Sequence, residues 1–257
     1  MNYGIQLSAS GVLTSMYRQD VFSNNLANMD TVGFKPDLAA TMQRLSARQE
    51  DGVMSLPSDA MLERLGAGVL AAPSRVNLAQ GSPRVTGNPL DVSIEGRGFF
   101  QLQGGAQDTG RTALLTRDGR FSRSNAGRLV QVNTGALVLD QVGRPITLPP
   151  GTVTIDSDGA VKVDGREVAR LGIYDVASEQ VRKRGGTVLE APASMVTRAG
   201  ADRGLVKQGV LEDSGVDEIR ALMQLQSASR DVDANIAVIQ QQDRMLDRAI
   251  NTLGRVS

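Results

Sequence analysis

Cysteine and histidine are both absent from the 257-residue chain. That removes disulfides, thiol nucleophiles, Ser-His-Asp triads and every Cys/His zinc site in one step. Any catalytic chemistry would rest on carboxylates, Lys, Tyr or Ser. Tryptophan is absent too and aromatics make up only 3%, so a stacking platform for bases or sugars is poorly supplied. Neither sign of charge is in excess, since 28 Lys and Arg balance 28 Asp and Glu. A chain that clamps nucleic acid usually carries a basic surplus. No run of 18 apolar residues occurs, so no transmembrane helix is expected. The opening Met1-Asn2-Tyr3-Gly4-Ile5-Gln6-Leu7-Ser8 has no basic segment leading into an apolar run, so an ordinary secretory signal peptide is not expected. These absences suit the cytoplasm and leave export by a signal-independent route open.

What the chain does have is a change of period along its length. Residues 3–27 read as a helix, with Ile5, Ala9, Val12, Met16 and Leu26 on a 3.5-residue seam whose positions 19 and 23 are polar, and with Asn2 as a candidate cap. Gly4 and Gly11 each weaken it by about 1 kcal/mol relative to Ala, so alone in water it is marginal. The C-terminal stretch is stronger. Leu222, Leu225, Ser229, Val232, Ile236, Ile239, Asp243, Leu246, Ile250 and Leu253 alternate spacings of three and four without a break. Ser214 to Asp217 resembles a capping box, and Gly254 follows the last seam residue.

Between the helices the period becomes two. Leu90, Val92 and Ile94 alternate with Asp91, Ser93 and Glu95. Further strand-like runs are Ala113–Thr116, Arg128–Val132, Ala136–Leu139, Val153–Ile155, Ala160–Val163 and Val168–Tyr174, separated by Gly-containing turns. The expected fold is α+β: long N- and C-terminal helices of coiled-coil type flank a central, mainly antiparallel β domain. The boundaries read as an axial helix over 1–30, an extended connector over 31–75, the β domain over 76–208 and an axial coiled-coil helix over 209–257. Two narrow apolar stripes then need partners: each other, copies of the same chain, or both. Packing of the helices on one face of the β domain is the alternative.

No motif anchors catalysis. Gly96-Arg97-Gly98 lacks a third glycine and a following helix, and Gly104-Gly105 leads to no P-loop lysine. Asp156-Ser157-Asp158-Gly159 reads as a β-turn rather than a calcium loop. Arg182-Lys183-Arg184 reads as a solvated turn. Catalytic, metal and cofactor-binding residues are expected to be none.

Residues 24–36, Asn24-Asn25-Leu26-Ala27-Asn28-Met29-Asp30-Thr31-Val32-Gly33-Phe34-Lys35-Pro36, resemble the Asn-Asn-Leu-Ala-Asn-x-x-Thr-x-Gly-Phe-Lys signature of bacterial flagellar rod and hook proteins. The physics suits a helix ending: Asn28 and Asp30 can bond local backbone, Gly33 can take positive φ and Phe34 can anchor the departing chain by burial. Three further stretches are similar to the same family. They are Thr86–Phe100, Leu115-Thr116-Arg117-Asp118-Gly119-Arg120-Phe121 (Leu115 where Tyr is usual) and Gln208–Val216 (Gly215 where Asn is usual). The ending Asp243–Val256 is most similar to the proximal-rod member.

The resemblance implies a structural subunit of the basal-body rod, spanning the periplasm and transmitting torque from motor to hook. It implies export by the flagellar type III apparatus without a cleaved signal, and helical polymerisation with the terminal helices as the inner core of a hollow axis. The partners implied are other copies of the chain, other rod proteins and the export apparatus. Nucleic acid, a small-molecule substrate and membrane insertion are not. Its motif residues are Asn24, Asn25, Leu26, Ala27, Asn28, Thr31, Gly33 and Phe34. The assembly seam is Ile5, Val12, Met16, Leu222, Leu225, Val232, Ile236, Ile239, Leu246, Ile250 and Leu253. A distal-rod or hook-type subunit is the nearest alternative. A cell-wall-active enzyme with paired carboxylates and a soluble coiled-coil adaptor are remoter ones.

Overall fold

The computed structural model describes residues 3–46, 49, 66–104, 111–198 and 204–253. Asn2 and Gly254, the expected caps, lie outside these. Helix α1 (Tyr3–Ala27) opens the described chain and helix α2 (Glu218–Leu253) closes it. The strands between them are β1 (Asp37–Gln43), β2 (Val69–Val76), β3 (Pro83–Val85), β4 (Val92–Glu95), β5 (Phe99–Leu102), β6 (Thr112–Thr116), β7 (Phe121–Arg123) and β8 (Leu129–Gln131). They continue with β9 (Val153–Ile155), β10 (Ala160–Val163), β11 (Arg166–Arg170), β12 (Ile173–Asp175), β13 (Arg182–Gly185), β14 (Val188–Pro192), β15 (Thr197–Arg198), β16 (Leu205–Gln208) and β17 (Val210–Glu212). The fold is therefore α+β, an N-terminal helix, a central antiparallel β-rich region and a C-terminal helix.

The chain forms two compact units. Among the described residues, the helical one gathers those within 3–26, 38–74 and 218–253, and the β one those within 27–37 and 75–217.

In the helical unit, α1 is rich in Gly, Ser and Thr, which favour other conformations by bonding nearby backbone. The structure satisfies two of these hydroxyls within the helix: Ser10 donates to the Leu7 carbonyl at 2.8 Å and Thr14 to that of Ser10 at 2.7 Å. Gly4, Gly11 and Arg18, seven residues apart, meet Gln242, Asn235 and Asp231, so α1 and α2 run antiparallel. Ser8, Ser15, Phe22 and Asn25 are buried on the same line of α1. A second face of α1 takes β2, which pairs with β1: Tyr17 donates to the Ala72 carbonyl at 3.0 Å, and the Ser10 hydroxyl accepts the Val69 N–H at 3.4 Å. The stretch read as an extended connector thus carries a strand pair. Helix α2 begins at Glu218, not in the box suggested at Ser214. That hydroxyl accepts the Val216 N–H at 3.3 Å and closes a local turn instead.

The β unit is built on a six-stranded sheet in the order β13-β14-β6-β5-β12-β15. Its central strands are buried on both faces. Phe100, Leu102, Leu114 and Val188 enter one core with Val92, Ile94, Phe121 and Leu129. Their neighbours Phe99, Leu115 and Leu189 enter a second core with Val76, Val176 and Val181. The period of two thus divides consecutive apolar residues between two cores. Phe100 and Phe121 meet edge to face at 5.1 Å.

Two expected strands differ. Ala136–Leu139 makes only isolated bridges, to Val130, Leu102 and Pro145. Val168–Tyr174 is split into β11 and β12 at Leu171-Gly172. There the chain passes so close to Asp140 that a Cβ on Gly172 would lie 2.7 Å from its carbonyl oxygen.

Candidate functional site

The signature segment ends α1 and then docks in the β unit. Asn28 stops the helix through its carbonyl, which accepts the Thr31 N–H at 3.1 Å, and its side chain, which accepts the Thr31 hydroxyl at 3.2 Å. Gly33 takes φ 68°, and a Cβ there would collide with the backbone of Arg117 and Asp118. Asn25, Gly33 and Phe34 are buried, Leu26, Asn28 and Thr31 partly so, and Asn24 and Ala27 are exposed. Phe34 is 1% exposed and carries the Lys183 ammonium over its ring at 3.8 Å. Lys183 also bonds Asp37 at 2.7 Å. Arg182-Lys183-Arg184 is therefore a strand whose middle residue turns inward, not the solvated turn expected. Burial lowers the Lys183 pKa, while the hydrogen bond and charge of Asp37 oppose that.

Beside Phe34 lies a buried ionic cluster. Lys35 Nζ donates to Glu212 Oε1 at 2.5 Å and to the Ala79 carbonyl at 2.7 Å. Arg117 donates to Glu212 Oε2 at 2.8 Å and to the carbonyls of Ile94 and Gly96 at 3.0 and 2.5 Å, and its guanidinium sits over Phe99. Glu212 Oε1 further accepts the Gly81 N–H, and the Glu212 carbonyl accepts that of Gly33 at 2.7 Å. Burial holds the Lys35 ammonium below its ordinary value, and Glu212 beside it opposes that. Next to the cluster, fully buried Asp118 accepts from Arg120 and Asn133. No single spacing in the sequence joins Lys35, Arg117 and Glu212. Yet each lies within one of the stretches that resemble the flagellar family.

The expected seam falls into two parts. On α2, the more covered positions are Ala221, Leu225, Ala228, Ser229, Asp231, Val232, Asn235, Ile239 and Gln242. This line keeps Leu225, Ser229, Val232 and Ile239 of the expected heptad and adds Ala221, Ala228, Asp231, Asn235 and Gln242, each one residue before a heptad position. Leu222, Ile236, Leu246 and Ile250 remain exposed. On α1, Ile5 and Val12 are partly covered and Met16 is exposed. The Leu253 side chain lies outside the described ones. Small and polar side chains thus share the contact within the chain with Phe22, Leu225, Val232 and Ile239, and Leu222, Ile236, Leu246 and Ile250 stay open.

Among the described residues no helix is long and apolar enough to cross a membrane, and no group of His, Cys, Asp and Glu could hold a metal ion.

Comparison with known proteins follows these elements. Residues 6–35 match the family described as flagella basal body rod protein. Residues 93–163 match the flagellar hook protein FlgE/F/G D1 domain, and 207–252 the flagellar basal body rod FlgEFG protein C-terminal family. The flagellar basal-body rod protein FlgF of Rhizobium meliloti (strain 1021) is 32% identical over 99% of both chains. FlgF of Mesorhizobium japonicum is 29% identical over all of both chains. FlgG of Caulobacter vibrioides is 30% identical over 94% of this chain and 96% of its own. Hook and rod proteins of the flagellum are the class that all three matched segments describe. The chain belongs to the flagellar basal-body rod protein family.

Proposed function

We propose that this structural rod subunit polymerises helically through α1 and α2, as coiled-coil elements, with copies of itself and with other rod proteins. The tube so formed transmits torque from motor to hook. One observation carries this reading: Met16, Leu222, Ile236, Leu246 and Ile250 are exposed, while the contact between α1 and α2 uses glycine, serine, alanine and amides together with Phe22 and the partly covered Leu225, Val232 and Ile239. Burying a Leu or Ile side chain stabilises by about 1.5–3 kcal/mol. A heterologous contact repeated helically uses that gain at every subunit. The family resemblance supports delivery by the flagellar type III apparatus and a proximal position, with a distal-rod or hook-type position as the alternative. Labelling the subunit in isolated basal bodies separates the two by its distance from the hook. A cell-wall hydrolase would need paired carboxylates in a cleft; an open depression of about 640 Å³ in the β unit has no carboxylate among its described lining residues.

The test is Ile236→Asp or Leu246→Asp in cells. Each change puts an unpaired charge on the open face, which assembly would bury. The expected outcome is loss of motility and of rods, with the β unit of the purified variant melting as in the parent. Motile cells carrying either change would contradict the reading.

A further inference from the structure

Lys35, Arg117 and Glu212 come from three distant segments: the link after α1, the turn after β6, and the end of β17. Their side chains are no more than 3% exposed. The cluster holds two cations and one anion, and the three depend on each other unequally. Arg117 has anchors of its own in the carbonyls of Ile94 and Gly96 and the face of Phe99. Glu212 arrives with β17, the last strand, which pairs with β3. Lys35 has one carboxylate partner here, Glu212. Without Glu212 in place, docking residues 33–37 would bury a second cation beside Arg117 with nothing to neutralise it.

We propose that Glu212 is a two-cation latch that makes docking of the 33–37 segment conditional on the arrival of β17. The N-terminal link then stays free until β17 has joined β3 in the β unit. Once Glu212 enters, the surrounding backbone closes with it. Gly33 donates to its carbonyl, Gly81 to its carboxylate, and Gly215 to the Phe34 carbonyl at 3.0 Å, so the segments leading from α1 and toward α2 become bonded to each other. Glu212 is here a positioning residue that acts through Lys35.

The test is amide hydrogen exchange on the full-length protein. Two reporters lie outside the latch: the Asn77 N–H, which donates to the Pro36 carbonyl at 2.8 Å, and the Gly215 N–H. In Glu212→Gln both should exchange about 100-fold faster, while amides of the β6–β14 ladder stay within about threefold of the parent. Adding Lys35→Met removes the second cation and should return both reporters to within about tenfold of the parent. Packing alone would give no such rescue. Unchanged reporters, equal acceleration in the β6–β14 ladder, or a double variant no better protected than the single one would each overturn the latch. If Glu212→Gln does not fold, a folded Lys35→Met/Glu212→Gln supports the proposal and an unfolded one overturns it.

Discussion

Gly33 excludes a side chain for two separable reasons. Its φ of 68° is one that L-residues adopt at a cost of about 1–2 kcal/mol, and the backbone of Arg117 and Asp118 occupies the space a Cβ would need. Gly143 has the first constraint without the second: φ 81° and no atom within 4 Å of its Cβ position. Gly33→Ala should therefore destabilise the β unit by about 2–4 kcal/mol and Gly143→Ala by about 1, read as shifts in the urea midpoint at constant slope. Equal effects would show that the close approach can relax. The glycine's conformation was legible from the signature. The backbone it meets, 84 residues later, was not. The ionic cluster was hidden for the same reason: Lys35, Arg117 and Glu212 are residue types that lie at the surface unless paired, and nothing local identifies the pair.

At the scale of elements, period and turn chemistry placed α1 at 3–27 and strands β4, β6 and β8–β12, because each rests on neighbours in sequence, whereas β1–β3, β7 and β13–β17 were not legible in that way. The contact between the helices was less legible. Apolar residues drew the eye to Leu222, Ile236 and Leu246, whereas α1 offers its partner notches at Gly4 and Gly11, and a notch favours a small or amide side chain. Gly11 makes this measurable. An alanine there gains about 1 kcal/mol of helix propensity, but its Cβ would lie 2.7 Å from Asn235 Oδ1. Asn235 cannot swing away freely, because its Nδ2 donates to the Asp231 carbonyl at 2.7 Å; losing that bond costs about 1 kcal/mol. The two effects nearly cancel, so Gly11→Ala should leave the helical melting transition within about 2 °C of the parent. Gly11→Ala/Asn235→Ala should raise it by several degrees, as about 1 kcal/mol implies for a small unit. If the single change stabilises as much as the double, the helices do not meet at this point.

For the whole molecule, two properties decide how copies meet. Formal charge is zero, so identical subunits repel one another weakly. Helices α1 and α2 leave Leu13, Met16, Leu222, Ile236, Leu246 and Ile250 exposed, so the free energy of association on the proposed reading is mainly hydrophobic. Such an association responds to salt in a characteristic way. Ordinary salt screens charges over about 10 Å at 0.1 M and would dissolve a contact built on ion pairs. Sulfate, being excluded from protein surface, strengthens apolar burial. Self-association of the purified chain, followed by light scattering, should therefore persist from 0.05 to about 0.5 M sodium chloride and rise with ammonium sulfate. Ile236→Asp should abolish the rise. Dissolution of the assemblies by sodium chloride over that range would mean that exposed charges such as Asp243 and Arg244 form the contact, and would transfer the seam to the polar edges of α2.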